Sequence, residues 1–525
     1  MAVSLLSACS PETFGTLSVF GAEILSLNAS PVTSYSASVP EVYRYTQPAT
    51  ELQNTTFCNV TVSYTHPGQN DNVSIEAWLP VDNFNGRLQA VGGGGWAAGR
   101  FFLSYNAMNG ALADGYATIT TNAGLSGLYW ESPYSWALLS PGNVNLHLLQ
   151  NFGSVSLNDQ AIIGKALVKS FYGKGPEYSY FNGCSQGGRQ ALMLAQRYPT
   201  AYDGIAAGAP AIEWTELVPY AQWPQQFMNM LGVYPYGCEL DAITAGAVSA
   251  CDGLDGVVDG VIGETDACLA HFDPFSIVGT VINCTEAGGK IQISHAAAAV
   301  ANATWHGMVT ADGKQTFYGI PPGSDLTGSS SSAGIAATNC TSGICVGAPS
   351  QLGPPWIKLF VARDPDFVIS NLTHAEFDRL AHLSGQMYGS LMSTNDPDLS
   401  AFHNAGGKLI SFHGLADNII PPKTTAKYYN AVASILPDVA DFYRHYEAPG
   451  LGHCFGGVSG QPTSLFAQLR AWVENGTAPG PSPVNITDKE GRLQPRILCP
   501  YPQKAGFNVK CGNSSMAECW SCIGN

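Results

Sequence analysis

Residues 182 to 190, NGCSQGGRQ, set a serine among glycines in the pattern G-x-S-x-G, made of Gly183, Cys184, Ser185, Gln186 and Gly187. A serine hydroxyl attacks carbonyl carbon only when a base takes its proton and an acid orients that base. In hydrolases built around a strand-turn-helix serine, the chain order is serine, acid, histidine. SFHGLADNIIPP supplies Asp417 just past an apolar run ending at His413, and GLGHCFGG supplies His453 in a glycine-flanked loop. Order and residue type fit acyl transfer. The remaining histidines, His413 among them, are read as packed or solvated bystanders.

Both candidate partners have a cysteine beside them, Cys184 before Ser185 and Cys454 after His453. If the hydroxyl and the imidazole meet at about 3 Å, the two backbones come within the ~4.4–6.8 Å that a disulfide needs between Cα atoms. The bridge would clamp nucleophile to base. It would close a loop of about 270 residues, which the loop-entropy model values at on the order of 5 kcal/mol. A competing reading makes Cys184 the nucleophile of a thiol enzyme; an oxidising compartment and the elbow position of residue 185 argue against it. A second competitor makes these glycine-rich turns purely structural. The oxyanion of a tetrahedral intermediate needs N–H donors, expected from Gln186 and from the run of residues 92 to 95, Gly94 and Gly95 in particular.

The elements that must position these groups are legible as short apolar runs ending in turn residues. GRLQAVGGGGW (86 to 96), YSYFNGCS (178 to 185), YDGIAAGAP (202 to 210) and GGKLISFHG (406 to 414) read as buried parallel strands. GRQALMLAQRY (188 to 198) reads as a helix stopping at Pro199. The alternation predicts an α/β layered fold. From about Pro210 to Asn395 the chain turns irregular and rich in Gly, Ser and Cys, with a serine-rich loop at 327 to 334 expected to be mobile. That stretch is read as an inserted lobe covering the sheet. The expected organisation is a catalytic domain from 1–210 and 396–525, with a lid over 211–395.

The 525 residues suffice for two to four lobes at about 150 residues each. Charged residues make up only 12% of the chain, about half the usual share of ~25%, so something else must aid solubility. Eleven Asn-x-Ser/Thr sequons can do so: Asn28, Asn54, Asn59, Asn72, Asn283, Asn302, Asn339, Asn371, Asn475, Asn485 and Asn513. They predict a glycosylated extracellular protein. Fourteen cysteines point to the same oxidising compartment. The C-x-x-C of Cys519 and Cys522 lacks a His-rich partner segment, so disulfides are expected there rather than zinc. A net charge of −16 repels nucleic acid. No run of about 18 apolar residues indicates a membrane span. The opening MAVSLLSACS has no basic region and a short apolar run, and is read as a mature terminus with an added Met after removal of a signal peptide.

One further cluster can hold a metal. In CDGLDGVVDGVI (251 to 262), Asp252, Asp255 and Asp259 are three carboxylates within eight residues, separated by glycines that let main-chain carbonyls join them. Hard oxygen ligands suit Ca²⁺, though the spacing is not that of an EF-hand and an ordinary acidic turn is the alternative.

The set Cys184-Ser185, Asp417, His453-Cys454 resembles the CS-D-HC motif of the fungal tannase and feruloyl esterase family. GGGGW, AQRYPTAYDGIAAGAPAIEW, CDGLDGVVDGVI and LGHCFGG extend the resemblance over nearly the whole chain. The resemblance implies an α/β-hydrolase domain with a large lid, Ser185 as nucleophile, His453 as general base and acid, Asp417 as its orienter, and a Cys184–Cys454 bridge. It also implies the bridges Cys9–Cys58 and Cys251–Cys268. A structural calcium ion in the lid follows from it too, held by Asp252, Asp255, Asp259 and the carbonyls of Val257 and Val261. The pairing of Cys238, Cys284, Cys340, Cys345 and the C-terminal cysteines stays open.

The resulting expectation is a secreted serine carboxylesterase acting on phenolic-acid esters through an acyl-enzyme, feruloyl esters first and galloyl esters second. The segment at 214 to 231 looks more like the feruloyl esterase branch. Trp214, Trp223 and Tyr234 are read as core, with contact to an acyl ring as the lesser alternative. The rival from another class is a calcium-stabilised glycan-binding module on an inactive hydrolase scaffold; a peptidase or lipase is the rival within the fold.

Overall fold

The computed structural model describes residues 8–125, 132–330, 333–488, 490–512 and 514–524. The reading of the chain start, the acceptor Asn513, and residues 331 and 332 of the serine-rich loop lie outside the described residues.

Nine strands form one sheet: β1 (Glu23–Val39), β2 (Thr50–Thr65), β3 (Val73–Pro80), β4 (Arg87–Val91), β5 (Ala117–Thr121), β6 (Tyr178–Cys184), β7 (Gly204–Gly208), β8 (Lys408–Gly414) and β9 (Tyr443–Ala448), in the order β1-β2-β3-β5-β4-β6-β7-β8-β9. The six from β5 to β9 run parallel. Their buried faces explain their uniform apolar sequences, since strands covered by helices on both sides lose the alternation of a half-exposed sheet. These are the four runs read from the sequence, plus β5 and β9. The N-terminal ribbon β1-β2-β3 is antiparallel, and went unread because β1 is polar and largely exposed along its length. The fold is an α/β-hydrolase, a layered α/β architecture.

Helices α1 (Phe102–Ala113), α2 (Ser156–Tyr172) and α3 (Gln186–Arg197) follow the early strands. Leu157, Ile163, Leu167 and Val168 of α2 and Leu192 and Leu194 of α3 share one core with Ile75, Leu88, Ile119 and Ile205 of the sheet. Burying each such side chain stabilises the fold by about 1.5–3 kcal/mol.

Between β7 and β8 the chain is not irregular, as its composition suggested. It forms α4 (Trp214–Leu231), α5 (Gly237–Cys251), α6 (His295–His306) and α7 (His374–Met392), with small hairpins between them. Pro219 and Pro224 sit inside α4, where local rules forbid a helix. Burial overrides that cost: Trp214, Leu217, Val218, Tyr220, Trp223 and Met228 are all engulfed in one core with Trp305, Trp356 and Phe360. A helix buried nearly all round shows no amphipathic stripe to read. Helices α8 (Lys423–Ile435) and α9 (Leu465–Asn475) complete the layer around β8 and β9.

Seven disulfides staple the chain: Cys9–Cys58, Cys184–Cys454, Cys238–Cys284, Cys251–Cys268, Cys340–Cys345, Cys499–Cys522 and Cys511–Cys519. Among the described residues no cysteine is free, and no helix is long and apolar enough to cross a membrane.

Candidate active site

Strand β4 lies between β5 and β6, so the chain leaves it one way to β5 and returns past it to β6. At such a reversal, loops at the carboxyl ends of the strands diverge and open a crevice. The glycine run follows β4 and Ser185 follows β6, so both are delivered to that crevice.

Ser185 has φ 64° and ψ −121°, a conformation that a residue with a side chain keeps only under constraint. Backbone contact supplies the constraint. A Cβ on Gly183 would lie 2.6 Å from Gly187 O, and one on Gly92 would lie 2.8 Å from Gly187 Cα. The elbow and the glycine run therefore touch main chain to main chain. Ser185 N–H donates to Gly208 O at 3.0 Å, and its carbonyl accepts from Arg189 N–H at 2.9 Å.

The three expected side chains converge. His453 Nε2 lies 2.9 Å from Ser185 Oγ, and His453 Nδ1 lies 2.8 Å from Asp417 Oδ2. Cys184 and Cys454 are bonded, with Cα atoms 6.0 Å apart. Cys454 has φ 62°, so constrained backbone stands beside the bridge on both sides. Asp417 is fully buried. Its other oxygen, Oδ1, accepts N–H of Ile419 at 2.9 Å and of Ile420 at 2.8 Å. Burial pushes its carboxyl up, but the charge of His453, hydrogen bonds from His413 and His453 and the charge of His413 outweigh that and hold it well below the ordinary carboxylate range. It stays ionised and acceptor-only, which orients Nδ1–H inward and leaves Nε2 free to take the serine proton.

The two glycines expected as oxyanion donors divide. Gly94 N–H donates to Ala97 O at 3.1 Å in a tight reciprocal turn, so it is spent and that expectation is corrected. Gly95 N–H has no acceptor among the described residues. Gln186 opens α3, where the N–H has no partner within the helix.

Several residues at the site were missed. His413, read as a bystander, is packed but touches the acid: its Nε2 lies 3.0 Å from Asp417 Oδ2. Asn418 accepts His453 N–H at 3.1 Å and donates to Ala333 O at 2.5 Å, tying the base to the inserted segment. Gln190 accepts Gly93 N–H at 2.8 Å and donates to Ala98 O at 2.8 Å, bracing the glycine run. Arg189 is fully buried, and no carboxylate pairs with it among the described residues. It donates to Gln186 Oε1 and to the carbonyls of Phe152, Gly153 and Met392; burial pushes its guanidinium down to about 9. Only the spacing of Gln186, Arg189 and Gln190 on one helix hinted at any of this. Trp214 and Trp223 are buried in a core that the inserted segment shares with Trp96, Trp136 and Phe152, and Tyr234 packs on its edge, its hydroxyl donating to Asn229 Oδ1.

In the acidic loop, Asp252 Oδ1 accepts N–H of Asp259 and Gly260, Asp255 Oδ1 accepts that of Val257, and Asp259 Oδ1 accepts that of Val261. Asp259 also pairs with Arg496 at 2.9 Å. The carboxylates do not converge within 4.8 Å of one another; the one group among the described residues that does is Cys238, Cys284 and Glu286, whose cysteines are bonded. Burial lifts the Asp255 carboxyl to about 6, against the Val257 hydrogen bond and with help from the charges of Asp259 and Asp252. A carboxylate made costly by desolvation and further by two neighbouring carboxylates, in a loop of hard oxygen donors, is chemistry that a divalent cation relieves. The donor set fits Ca²⁺.

None of the ten described sequon asparagines is buried.

The model of the family described as tannase and feruloyl esterase matches residues 58–523. A probable feruloyl esterase of Arthroderma benhamiae is 39% identical over 90% of this chain and 87% of its own. A tannase of Aspergillus oryzae is 30% identical over 90% and 86%. Among solved structures, a tannin acyl hydrolase from Aspergillus niger superposes with a TM-score of 0.85 at 29% identity, covering 99% of this chain and 96% of its own. Feruloyl esterase B from Aspergillus oryzae gives 0.78 at 24% over 99% and 100%, a likeness of fold.

Proposed function

Since the chain belongs to the tannase and feruloyl esterase family, we propose that it hydrolyses esters of phenolic acids at Ser185 through an acyl-enzyme, outside the cell. It is a carboxylic ester hydrolase. The observation that carries the mechanism is the unbroken line from Asp417 through His453 to Ser185, 2.8 and 2.9 Å. Ser185 Oγ attacks the ester carbonyl while His453 Nε2 takes its proton. N–H groups of Gln186 and Gly95 face the developing oxyanion. The imidazolium, held by Asp417, returns the proton to the leaving alcohol, and the same nitrogen then activates water to release the acid.

Hydroxycinnamoyl esters such as feruloyl esters are the preferred substrates in this reading and galloyl esters the second choice, in line with the relative at 39% identity and the tannase at 30%. A filled set of three catalytic positions argues against an inactive, glycan-binding scaffold. Residues 211–395 act as the lid. Calcium, held by Asp252, Asp255, Asp259 and the carbonyls of Val257 and Val261, neutralises the loop and has a structural role. Seven disulfides and exposed or half-exposed sequons support secretion and glycosylation.

Rates on methyl ferulate, caffeate, p-coumarate and gallate, with Ser185→Ala as control, test the assignment. Turnover of the cinnamates above gallate is expected, abolished in the variant; activity surviving Ser185→Ala refutes the mechanism.

A further inference from the structure

The carboxylate that orients the base carries more than the three-residue arrangement uses. Asp417 Oδ2 receives two imidazoles, His453 Nδ1 at 2.8 Å and His413 Nε2 at 3.0 Å. His413 Nε2 also faces Ile420 O at 3.1 Å, and its Nδ1 lies 2.8 Å from Thr425 Oγ1 in α8. Two acceptors at Nε2 require that nitrogen to carry the hydrogen, so in the neutral ring Nδ1 accepts from the Thr425 hydroxyl. The tautomer is thereby set by the surroundings. His413 and Thr425 are both fully buried, and neither takes part in the chemistry proposed above.

We propose that His413 is a positioning residue for ester hydrolysis: fixed by Thr425, its Nε2–H pins the Asp417 carboxylate and restrains its basicity, so that the proton taken from Ser185 stays on His453. The inference rests on the assignment of Ser185, His453 and Asp417. Four donors surround this carboxylate, two main-chain N–H groups on Oδ1 and two imidazoles on Oδ2. Removing His413 leaves His453 as the sole donor to Oδ2. The negative charge on that oxygen then favours imidazolium more strongly, and a higher pH is needed before His453 can act as base.

The ionisable groups around His413 are few. Asp417 and His453 lie on the site side. From β9, His445 is pushed down to about 3 by burial and by His413, so it is neutral at working pH, and Glu447 is the register partner of His413. From α4, buried Tyr220 feels the charge of Asp417. In the first turn of α8, Lys423 pairs with Asp266.

The test is the pH dependence of kcat/KM on methyl ferulate for His413→Ala, His413→Gln and Thr425→Val, each checked for native near-UV circular dichroism. His413→Ala is expected to lower kcat roughly tenfold with KM little changed, and to move the acid limb up by on the order of one pH unit. Glutamine places an amide N–H near the Nε2 position and should restore the limb. Thr425→Val, which removes the hydroxyl seated on Nδ1 and so loosens the ring's orientation, should shift the limb the same way by less, and it stands as the test if the alanine variant fails to fold. An unshifted limb in folded His413→Ala, or in Thr425→Val if that alone folds, overturns the proposal, as does a glutamine variant shifted like alanine. Ser185→Ala is run alongside: if it stays active, the site assignment itself has failed, which is a different result from an unshifted limb.

Discussion

Two aspartates in this molecule sit in opposite surroundings. Asp417 is fully buried yet held strongly acidic, because imidazoles and main-chain N–H groups occupy both its oxygens. Asp255 belongs to an exposed loop yet is lifted to about 6, because desolvation of its carboxyl, the largest influence, is opposed by the Val257 N–H and reinforced by the charges of Asp259 and Asp252. The difference teaches that burial alone does not decide a carboxylate's state; the count and sign of its partners do. One site is complete within the chain, and the other is the one proposed above to take a cation.

The largest expected effect breaks the complete side. Asp417→Asn should lower kcat by on the order of 10³ to 10⁴, by letting His453 adopt the wrong tautomer, with the fold retained. Steady-state rates beside circular dichroism check this, and a loss under tenfold would count against the role given to Asp417.

Cutting the clamp comes next. Replacing Cys184 and Cys454 together by Ala should slow turnover roughly a hundredfold at temperatures where the variant remains folded, since an error near 1 Å in reacting groups has that cost. If activity and melting temperature fall only in step, the bridge is a stabiliser and not a positioning device.

The open side is sharpened by chelation. Calcium at a hundredfold excess over its Kd should add about 3 kcal/mol of stability, while the reactivity of Ser185 with a phosphonate stays the same with and without it. The pH dependence has a defined sign. Asp255 has a folded pKa of about 6 against ~3.9 unfolded, so the folded state binds more protons between those values and the calcium-free protein loses stability as pH rises from about 4 to 6. With calcium, which binds the ionised form, that trend should flatten or reverse. Melting curves with EDTA and with calcium decide, and identical slopes would remove the ion from the account.

The smallest effect lies at the turn after β2. His66 bridges Asp71 at 2.6 Å and Asp159 at 3.2 Å. The hydrogen bond to Asp159, opposed by burial and joined by Asp71, raises its pKa to about 9. A raised histidine contributes stability in full below its unfolded value near 6.5 and loses it as pH climbs through about 9. The melting temperature should decline over that window, and His66→Gln should flatten the decline.

The complete site was the legible one. Ser185, Asp417, His453 and their cysteines stand in local motifs, each a glycine-rich turn after an apolar strand, and a disulfide follows from adjacency once the triad is drawn. His413 and Asn418 were not legible, because each acts through a partner far along the chain or through one hydrogen bond that leaves no periodic trace, and Gln190 showed only in its spacing from Gln186 and Arg189. The helices of the inserted segment were hidden for a related reason: α4 breaks local rules with two prolines, and only its burial against α6 and α7 makes it a helix. Gly94 was lost to a reciprocal turn with Ala97 that four consecutive glycines do not reveal.

The most direct test of the central claim, that Ser185 is a nucleophile seated against His453, is mass spectrometry of the intact protein and its peptides after a serine-directed phosphonate. One adduct on the peptide containing Ser185, absent in Ser185→Ala and matched by loss of esterase activity, is the predicted result. Full esterase activity in protein labelled at Ser185, or inactivation by an adduct elsewhere, would contradict it.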